Sequence, residues 1–188
     1  MKNTRFVAIA TLVLIAALSR LLPHPPNATA VGAMALFGGA YLTNRWFAVL
    51  LPLISLFLSD LILNNVVYAA FNNGQFVWFY DGAIWIYSAV ALTVLVGFAL
   101  SKNVNSKAVL GASLICSTLF FLLTNFGVWK SGTMYPQTMT GLTACYTAAL
   151  PYFVNSLIGD LTFAAVLFGG FEWAQKRFNA LATTSSRF

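Results

Sequence analysis

Long apolar segments follow one another along the chain, with only short polar stretches between them. We predict a helix for each segment, over residues 5–22, 27–42, 46–65, 81–100, 108–129 and 143–171. A helix needs about 20 apolar residues to cross the ~30 Å hydrocarbon core of a bilayer. Charged residues make up only 7% of the chain, whereas a soluble domain contains about 25%. The sequence therefore predicts an all-α membrane protein, in which residues 1–188 form one bundle of six transmembrane helices.

The first predicted helix shares some features with a secretory signal peptide. Lys2 and Arg5 precede an apolar run, and residues 28–30 (Ala-Thr-Ala) resemble a cleavage site. However, Arg20 and three prolines stand between the run and that site, and the rest of the chain is equally apolar. We therefore interpret the segment as a first transmembrane helix that the protein retains.

Basic residues are distributed unevenly between the two ends of such a bundle. Six crossings place both chain termini on one side of the membrane. The basic residues on that side are Lys2, Arg5, Arg45, Lys102, Lys107, Lys176, Arg177 and Arg187. Only Arg20 and Lys130 fall on the opposite side. Because lysine and arginine accumulate in cytoplasmic loops, we predict a bacterial inner-membrane protein with both termini in the cytoplasm.

The second predicted helix is short and consists mostly of small residues. Three prolines in residues 23–26 stop the first helix, because proline lacks the N–H donor that a helix interior needs. Asn27 is then predicted to cap the second helix with its side-chain oxygen. Ala28 with Gly32, and Ala35 with Gly39, have the spacing of small residues that lets transmembrane helices approach closely. We expect this helix to pack tightly against its neighbours.

Composition and motifs exclude several classes of function. The net charge is +6, but the basic residues are scattered and form no stripe that could follow a nucleic acid backbone. Cys116 and Cys145 lie in apolar runs without a CxxC motif, which argues against a disulfide framework or a zinc site. The single histidine and the lack of nucleotide-binding or hydrolase motifs predict a protein that is not an enzyme and needs no metal or cofactor.

Polar and aromatic residues accumulate at the end of the bundle away from the termini. With a rise of about 1.5 Å per residue, Arg20, Asp60 and Asn125 lie in the outer third of the membrane. A charge at such a depth is costly and normally faces the bundle interior or a wet cavity. We predict a substrate-binding site formed by Arg20, His24, Asn27, Asp60, Asn64, Trp78, Tyr80, Asp81, Asn125, Trp129 and Lys130.

These residues also have structural interpretations. Arg20 and Asp60 can pair and hold the first and third helices together, and His24 can be a solvated turn residue. Tryptophan and tyrosine in the connecting loops are typical of a membrane interface, and Asn125 can bond to a neighbouring helix. Asp160 lies nearer the cytoplasm, where packing or coupling are its two candidate roles.

Several stretches carry a resemblance to known proteins. They are Arg20–Asn27 (RLLPHPPN), Gly32–Tyr41 (GAMALFGGAY), Ser59–Leu61 (SDL), Thr124–Trp129 (TNFGVW) and Gly159–Asp160. With them the chain resembles an uncharacterised family of bacterial six-helix membrane proteins, which is similar to the S components of energy-coupling factor (ECF) transporters. The resemblance implies a subunit that captures a vitamin-like solute outside the cell. It also implies partners that energise uptake, namely a transmembrane scaffold and two ATPases.

Three functional hypotheses are compatible with these features. The favoured one is a substrate-binding subunit for a small solute, with the lipid bilayer and ECF-type subunits as partners. The second is a structural or assembly subunit without a ligand. The third is a protein that acts through its carboxylates, either as an ion-coupled solute carrier or as an intramembrane enzyme that uses Asp60, His24 or Asp160.

Overall fold

A computed structural model describes residues 2–72, 74–178 and 181 of the chain. Within these ranges all regular structure is helical, and six helices follow one another. They are α1 (Lys2–Leu18), α2 (Val31–Tyr41), α3 (Arg45–Ile62), α4 (Ala83–Leu100), α5 (Ser106–Ser131) and α6 (Met139–Arg177). A 3₁₀ turn, Ser19–Leu21, extends α1, and a π turn, Leu63–Val67, extends α3. A second π turn, Ala165–Gly169, lies inside α6.

The prediction of an all-helical fold is confirmed, and the length and composition of the helices indicate a membrane protein. Five of the helices are long and apolar enough to cross a membrane, and α2 is a shorter apolar helix. The start of α1 meets the end of α6, where Arg5 Nη1 donates a hydrogen bond to Gln175 Oε1 over 3.4 Å. The two ends of the described chain therefore lie at the same end of the bundle. Arg187, one of the basic residues assigned to the side of the termini, lies outside the described residues.

Side-chain caps determine where three of the helices begin. Asn44 Oδ1 accepts from the backbone N–H of Trp46 at the start of α3, over 2.9 Å. Asn105 caps α5 in the same way, and the Thr138 hydroxyl caps α6. These residues satisfy N–H groups that a helix start leaves without partners. The capping residue in each of these short polar segments therefore fixes where the next helix begins.

Helix α2 forms the centre of the bundle and contacts all five other helices. Nine of its 11 residues are buried. Its closest neighbour is α4, since a Cβ on Gly39 would lie 2.5 Å from the carbonyl oxygen of Val94, and a Cβ on Gly97 2.7 Å from that of Leu36. Only glycine allows the two backbones to come this close. The expected tight packing of the small-residue helix is therefore present.

The start of α2 differs from the prediction. The helix begins at Val31 and not near Asn27, and its N-cap residue Ala30 makes no side-chain cap. Asn27 instead adopts a left-handed conformation with φ of 65°, which asparagine tolerates better than most residues. Its carbonyl accepts from the N–H of Thr29 over 3.0 Å. The prolines therefore lead into a tight turn, and residues 22–30 connect α1 to α2 without helix.

Helix α6 is longer than predicted at both ends. It begins at Met139 and continues to Arg177, a length of 39 residues, whereas we predicted residues 143–171. At 1.5 Å per residue such a helix is about 58 Å long, which exceeds the ~30 Å hydrocarbon core. Because Thr138 caps α6, this helix begins earlier in the chain than predicted. Only residues 132–138 therefore connect α5 to α6.

Candidate functional site

A cavity of about 270 Å³ lies inside the bundle, at the end opposite the chain termini. Its lining residues come from the 3₁₀ turn after α1, the α1–α2 connection and helices α2 to α6. Four of its lining residues are aromatic: Phe120, Phe121, Tyr152 and Phe153. Six are polar: Arg20, Asn27, Thr29, Thr124, Asn125 and Ser156. Apolar walls with a few polar groups are typical of small-molecule sites.

Arg20 lies in the 3₁₀ turn after α1, lines the cavity and forms hydrogen bonds with α3. Its Nη1 donates to Asp60 Oδ1 over 2.7 Å and to the Ser59 hydroxyl over 2.6 Å. The Arg20 side chain is 14% exposed and that of Asp60 4% exposed. The pair that we considered as a structural link between the first and third helices is therefore formed. Arg20 also lines the cavity, so the two interpretations of this residue are compatible.

The second oxygen of Asp60 is also engaged. Tyr87, in α4, donates its hydroxyl to Asp60 Oδ2 over 3.0 Å. Tyr80, in the α3–α4 connection, lies near the same carboxylate. Burial raises the pKa of Tyr80 above its ordinary value, and the negative charge of Asp60 raises that pKa further. Asp60 is thus surrounded by Arg20 and two tyrosines and has little capacity left for a ligand.

Arg20 retains an unused donor. Its Nε is buried and has no hydrogen-bond partner. Leaving such a donor without a partner costs about 1–3 kcal/mol. Arg20 lines the cavity, but its Nε is shielded from solvent.

Helix α5 presents acceptors to the cavity. The Asn125 side-chain NH₂ donates to the Phe121 carbonyl over 2.8 Å, and the Thr124 hydroxyl donates to the Phe120 carbonyl over 2.8 Å. A carbonyl can only accept, which fixes the orientation of the Asn125 amide and leaves its Oδ1 free. The Thr124 oxygen likewise keeps its lone pairs. Both residues therefore offer acceptors to a solute.

Aromatic rings form one wall of the cavity. The rings of Phe121 in α5 and Phe153 in α6 lie 4.7 Å apart between centroids, at an angle of 41°. Phe121 also makes an edge contact with Tyr146, over 5.5 Å. The Tyr146 hydroxyl donates to the Leu122 carbonyl over 2.6 Å. These contacts hold the wall in place and give the cavity a face on which a flat ring can stack.

Asn65, which we did not predict as a site residue, bonds the α3–α4 connection to the end of α3. Asn65, in the π turn, donates to the Val77 carbonyl over 2.9 Å and accepts from the Val77 N–H over 2.7 Å. The neighbouring Asn64 accepts from Asn72 through its backbone carbonyl, over 2.8 Å, and its side-chain nitrogen is buried without a partner. The pair of hydrogen bonds at Val77 positions the segment that carries Tyr80.

The predicted site residues separate into two groups. Arg20, Asn27 and Asn125 line the cavity, and Asp60 and Tyr80 lie behind Arg20. The others are absent from the cavity lining: His24, Asn64, Trp78, Asp81, Trp129 and Lys130.

The second group has other local roles or is exposed. His24 is exposed and its Nδ1 lies 2.6 Å from the Leu22 carbonyl oxygen. Trp78 is 62% exposed, and Asp81 is exposed as well. Trp129 donates its ring N–H to the Pro136 carbonyl over 3.1 Å, which holds the α5–α6 connection. The Lys130 carbonyl accepts from Gln137 over 2.7 Å.

Sequence reasoning missed several residues of the site. Tyr87 and the residues of the aromatic wall lie in apolar helices that contain many aromatic residues, so nothing in the sequence distinguishes them from their neighbours. Two signals were present: Ser59 directly precedes Asp60, and Ser156 lies one helical turn before Asp160, on the same face of α6. The aromatic wall has no comparable signal.

Asp160 has a structural role at the start of α2. It is 8% exposed, and the Ser117 hydroxyl of α5 donates to its Oδ2 over 2.6 Å. The N–H of Ala33 also interacts with the carboxylate, and a Cβ on Gly32 would collide with it. Negative charge is favourable at a helix N-terminus. Asp160 therefore holds the first turn of α2 against α6.

The same face of α6 also holds the connection before α2. Asn155 donates its side-chain NH₂ to the Pro26 carbonyl over 3.1 Å. A Cβ on Gly159 would lie 3.0 Å from the backbone of Ala28. One face of α6 thus supports the chain from Pro26 to Ala33, which includes three lining residues of the cavity: Asn27, Thr29 and Val31.

A second pocket lies elsewhere in the bundle. A groove of about 370 Å³ near the opposite end of the bundle is lined only by α5 and α6, so that it follows one helix pair. Among the described residues no three His, Cys, Asp or Glu side chains lie together in a way that could hold a metal ion. Cys116 and Cys145 are both buried and free.

Comparison with known proteins gives one result. No curated protein and no solved structure matches the chain significantly. The sequence profile of one protein family does match it, over residues 1–181, and this family is described as a family of unknown function, DUF6580. This match covers nearly the whole chain, including every helix and every residue of the cavity. The chain therefore belongs to the DUF6580 family.

Proposed function

We propose that this protein is the substrate-binding subunit of a membrane transport system, and that it captures a small vitamin-like solute in the 270 Å³ cavity. The observation that carries the proposal is the composition of the cavity wall, in which aromatic side chains stand beside Arg20 and five other polar residues. Apolar walls with a few polar groups are typical of small-molecule sites.

The position of the cavity supports capture from outside. It lies at the end of the bundle with the fewest basic residues, which the distribution of lysine and arginine assigns to the external side. Asn27 is exposed and also lines the cavity. A solute can therefore reach the cavity at the turn between α1 and α2.

The chain has no nucleotide-binding motif, so uphill transport needs energy from another source. If the protein is an ECF-type S component, a transmembrane scaffold and two ATPases supply it. Supporting this assignment are the six helices, the size of the chain and the sequence stretches that carry the resemblance.

An ion-coupled carrier is the second candidate, and Asp160 is the observation that favours it. This buried carboxylate lies in a membrane-spanning helix, with Ser117 and the start of α2 as its partners. Carboxylates at such positions serve as ion or proton sites in many carriers. In a carrier of this kind Asp160 couples the movement of an ion to that of the solute.

Native mass spectrometry of the protein purified in mild detergent tests solute binding directly. We expect a bound small molecule in the wild-type protein. It should be lost from the double variant Arg20→Gln with Asp60→Asn, which removes both charges together and leaves neither one buried alone. Lys130→Gln is the matched control, since Lys130 is exposed and absent from the cavity lining. An unoccupied wild-type protein that also fails to bind any added solute would refute the proposal.

Reconstitution in liposomes separates the two energy sources. An S component alone should bind the solute without accumulating it. Sustained accumulation against a gradient, without ATP or partner subunits, would refute the S-component assignment and favour an ion-coupled carrier. In that case Asp160→Asn should abolish accumulation while binding in the cavity persists.

A further inference from the structure

The cavity contains enough detail to define the class of solute, on the assumption that the proposed function is correct. We propose that the solute is uncharged, contains a flat ring and carries a hydrogen-bond donor at one edge.

The charge of the solute follows from the Arg20–Asp60 pair. Among the described residues Arg20 is the only charged side chain that lines the cavity, and Asp60 neutralises it over 2.7 Å. An anion would therefore meet a cation that is already paired. A cation would meet no free carboxylate there, because both oxygens of Asp60 are occupied and the described lining includes no acidic side chain. A charged solute would lose its hydration without gaining an opposite charge, which leaves an uncharged solute.

The polar pattern of the solute follows from the free oxygens that α5 presents to the cavity. The Thr124 hydroxyl proton and one N–H of Asn125 are used on backbone carbonyls of α5. The Thr124 oxygen and Asn125 Oδ1 remain as acceptors, so the solute presents a donor to them. An N–H group on the ring system satisfies this wall.

The shape of the solute follows from the aromatic wall and the volume. The tilted rings of Phe121 and Phe153 offer a face for stacking. A volume of about 270 Å³ is several times the ~30 Å³ that one water molecule takes up in the liquid. This volume has room for a compact compound of one or two rings.

A matched set of probes tests the charge class. Benzamide, benzoate and benzylammonium share one ring and differ in charge, and each is added at millimolar concentration to the purified protein in mild detergent. We expect benzamide to raise the unfolding temperature more than the other two. Thr124→Val and Asn125→Leu, which remove acceptors with little change in volume, should each weaken benzamide binding about tenfold, the equivalent of one hydrogen bond. Leu122→Ala, at a half-exposed position of the same helix, should leave it unchanged.

The alternative outcomes separate this inference from the proposed function. Stabilisation by benzoate or benzylammonium alone would overturn the uncharged class and leave solute binding intact. Equal benzamide binding in wild type, Thr124→Val and Asn125→Leu would overturn the assigned polar pattern. If no probe binds, the charge of any molecule found by native mass spectrometry decides the class. The absence of both probe binding and a co-purified molecule would refute the proposed function together with this inference.

Discussion

At the scale of single residues, the Arg20–Asp60 pair links two helices and also forms part of the candidate site. It joins the end of α1 to α3, with both side chains largely shielded from solvent, and it presents Arg20 to the cavity. Buried pairs of this kind contribute little net stability when intact, but breaking one leaves an uncompensated charge. Removing one partner should therefore cost far more than removing both.

Asp60→Asn should destabilise the protein by about 3–5 kcal/mol, because Arg20 would remain as an unpaired cation in a buried site. Unfolding in detergent, followed by circular dichroism, measures the change. Asp81→Asn is the control: Asp81 is exposed, and we expect a change within about 0.5 kcal/mol. Equal stabilities of the two variants would mean that the pair is solvated and not buried.

Gly32 provides a second prediction at this scale. Gly32→Ala places a methyl group against the Asp160 carboxylate and should cost about 1–3 kcal/mol, the range for overpacking. Gly111→Ala is the matched control in α5, since a Cβ there meets no atom within 4 Å, and it should be neutral or slightly stabilising. In an Asp160→Ala background the cost of Gly32→Ala should fall, which a double-mutant cycle on unfolding free energies measures. An unchanged cost would show that the Asp160 carboxylate is not the obstacle.

At the scale of elements, the stability of the bundle depends on how closely α2 and α4 approach. Gly97→Ala would bring a Cβ to 2.7 Å from the Leu36 carbonyl oxygen and 2.8 Å from the Gly39 Cα. Both obstacles are backbone atoms, so the helices must separate. We expect a loss of at least about 2 kcal/mol and a lower unfolding temperature in detergent. Gly170→Ala, which meets no neighbouring atom, serves as the control, and similar losses in both variants would contradict the proposed close approach.

At the scale of the whole molecule, the bundle has a basic end and a cavity end. Arg5 meets Gln175 at the basic end, and Arg45 lies over the Phe98 ring, 5.8 Å from its centroid. The cavity occupies the opposite end. If the basic end faces the cytoplasm, as lysine and arginine usually do, the cavity faces outward.

Cysteine labelling tests this orientation in a background without Cys116 and Cys145. We expect Gln75→Cys and Thr133→Cys to react with a membrane-impermeant reagent from outside intact cells, and Asn103→Cys to react only after the membrane is opened. All three positions are exposed. Gln75 and Thr133 are preferable to the adjacent Gly74 and Gly132, whose positive φ angles make substitution there strained. The reverse labelling pattern would invert the topology and place the cavity on the cytoplasmic side.

The sequence by itself determined the helical class, the existence of six helices and the end of the bundle at which polar residues gather. These properties depend on local quantities: the apolar length needed to span a bilayer, the breaks introduced by proline and polar residues, and the cost of a charge in lipid. The same local reasoning selected Arg20, Asn27 and Asn125, which line the cavity, together with other residues that do not.

Only the tertiary structure decided how these residues are used. The start of α2 at Val31 depends on Asp160 and Gly159 of a helix more than a hundred residues further along the chain. The partners of Asp60 and the aromatic wall likewise come from separate helices. In a chain this apolar, one helix face looks much like another in the sequence. Which faces meet is decided by the close packing of all six helices, which local patterns do not encode.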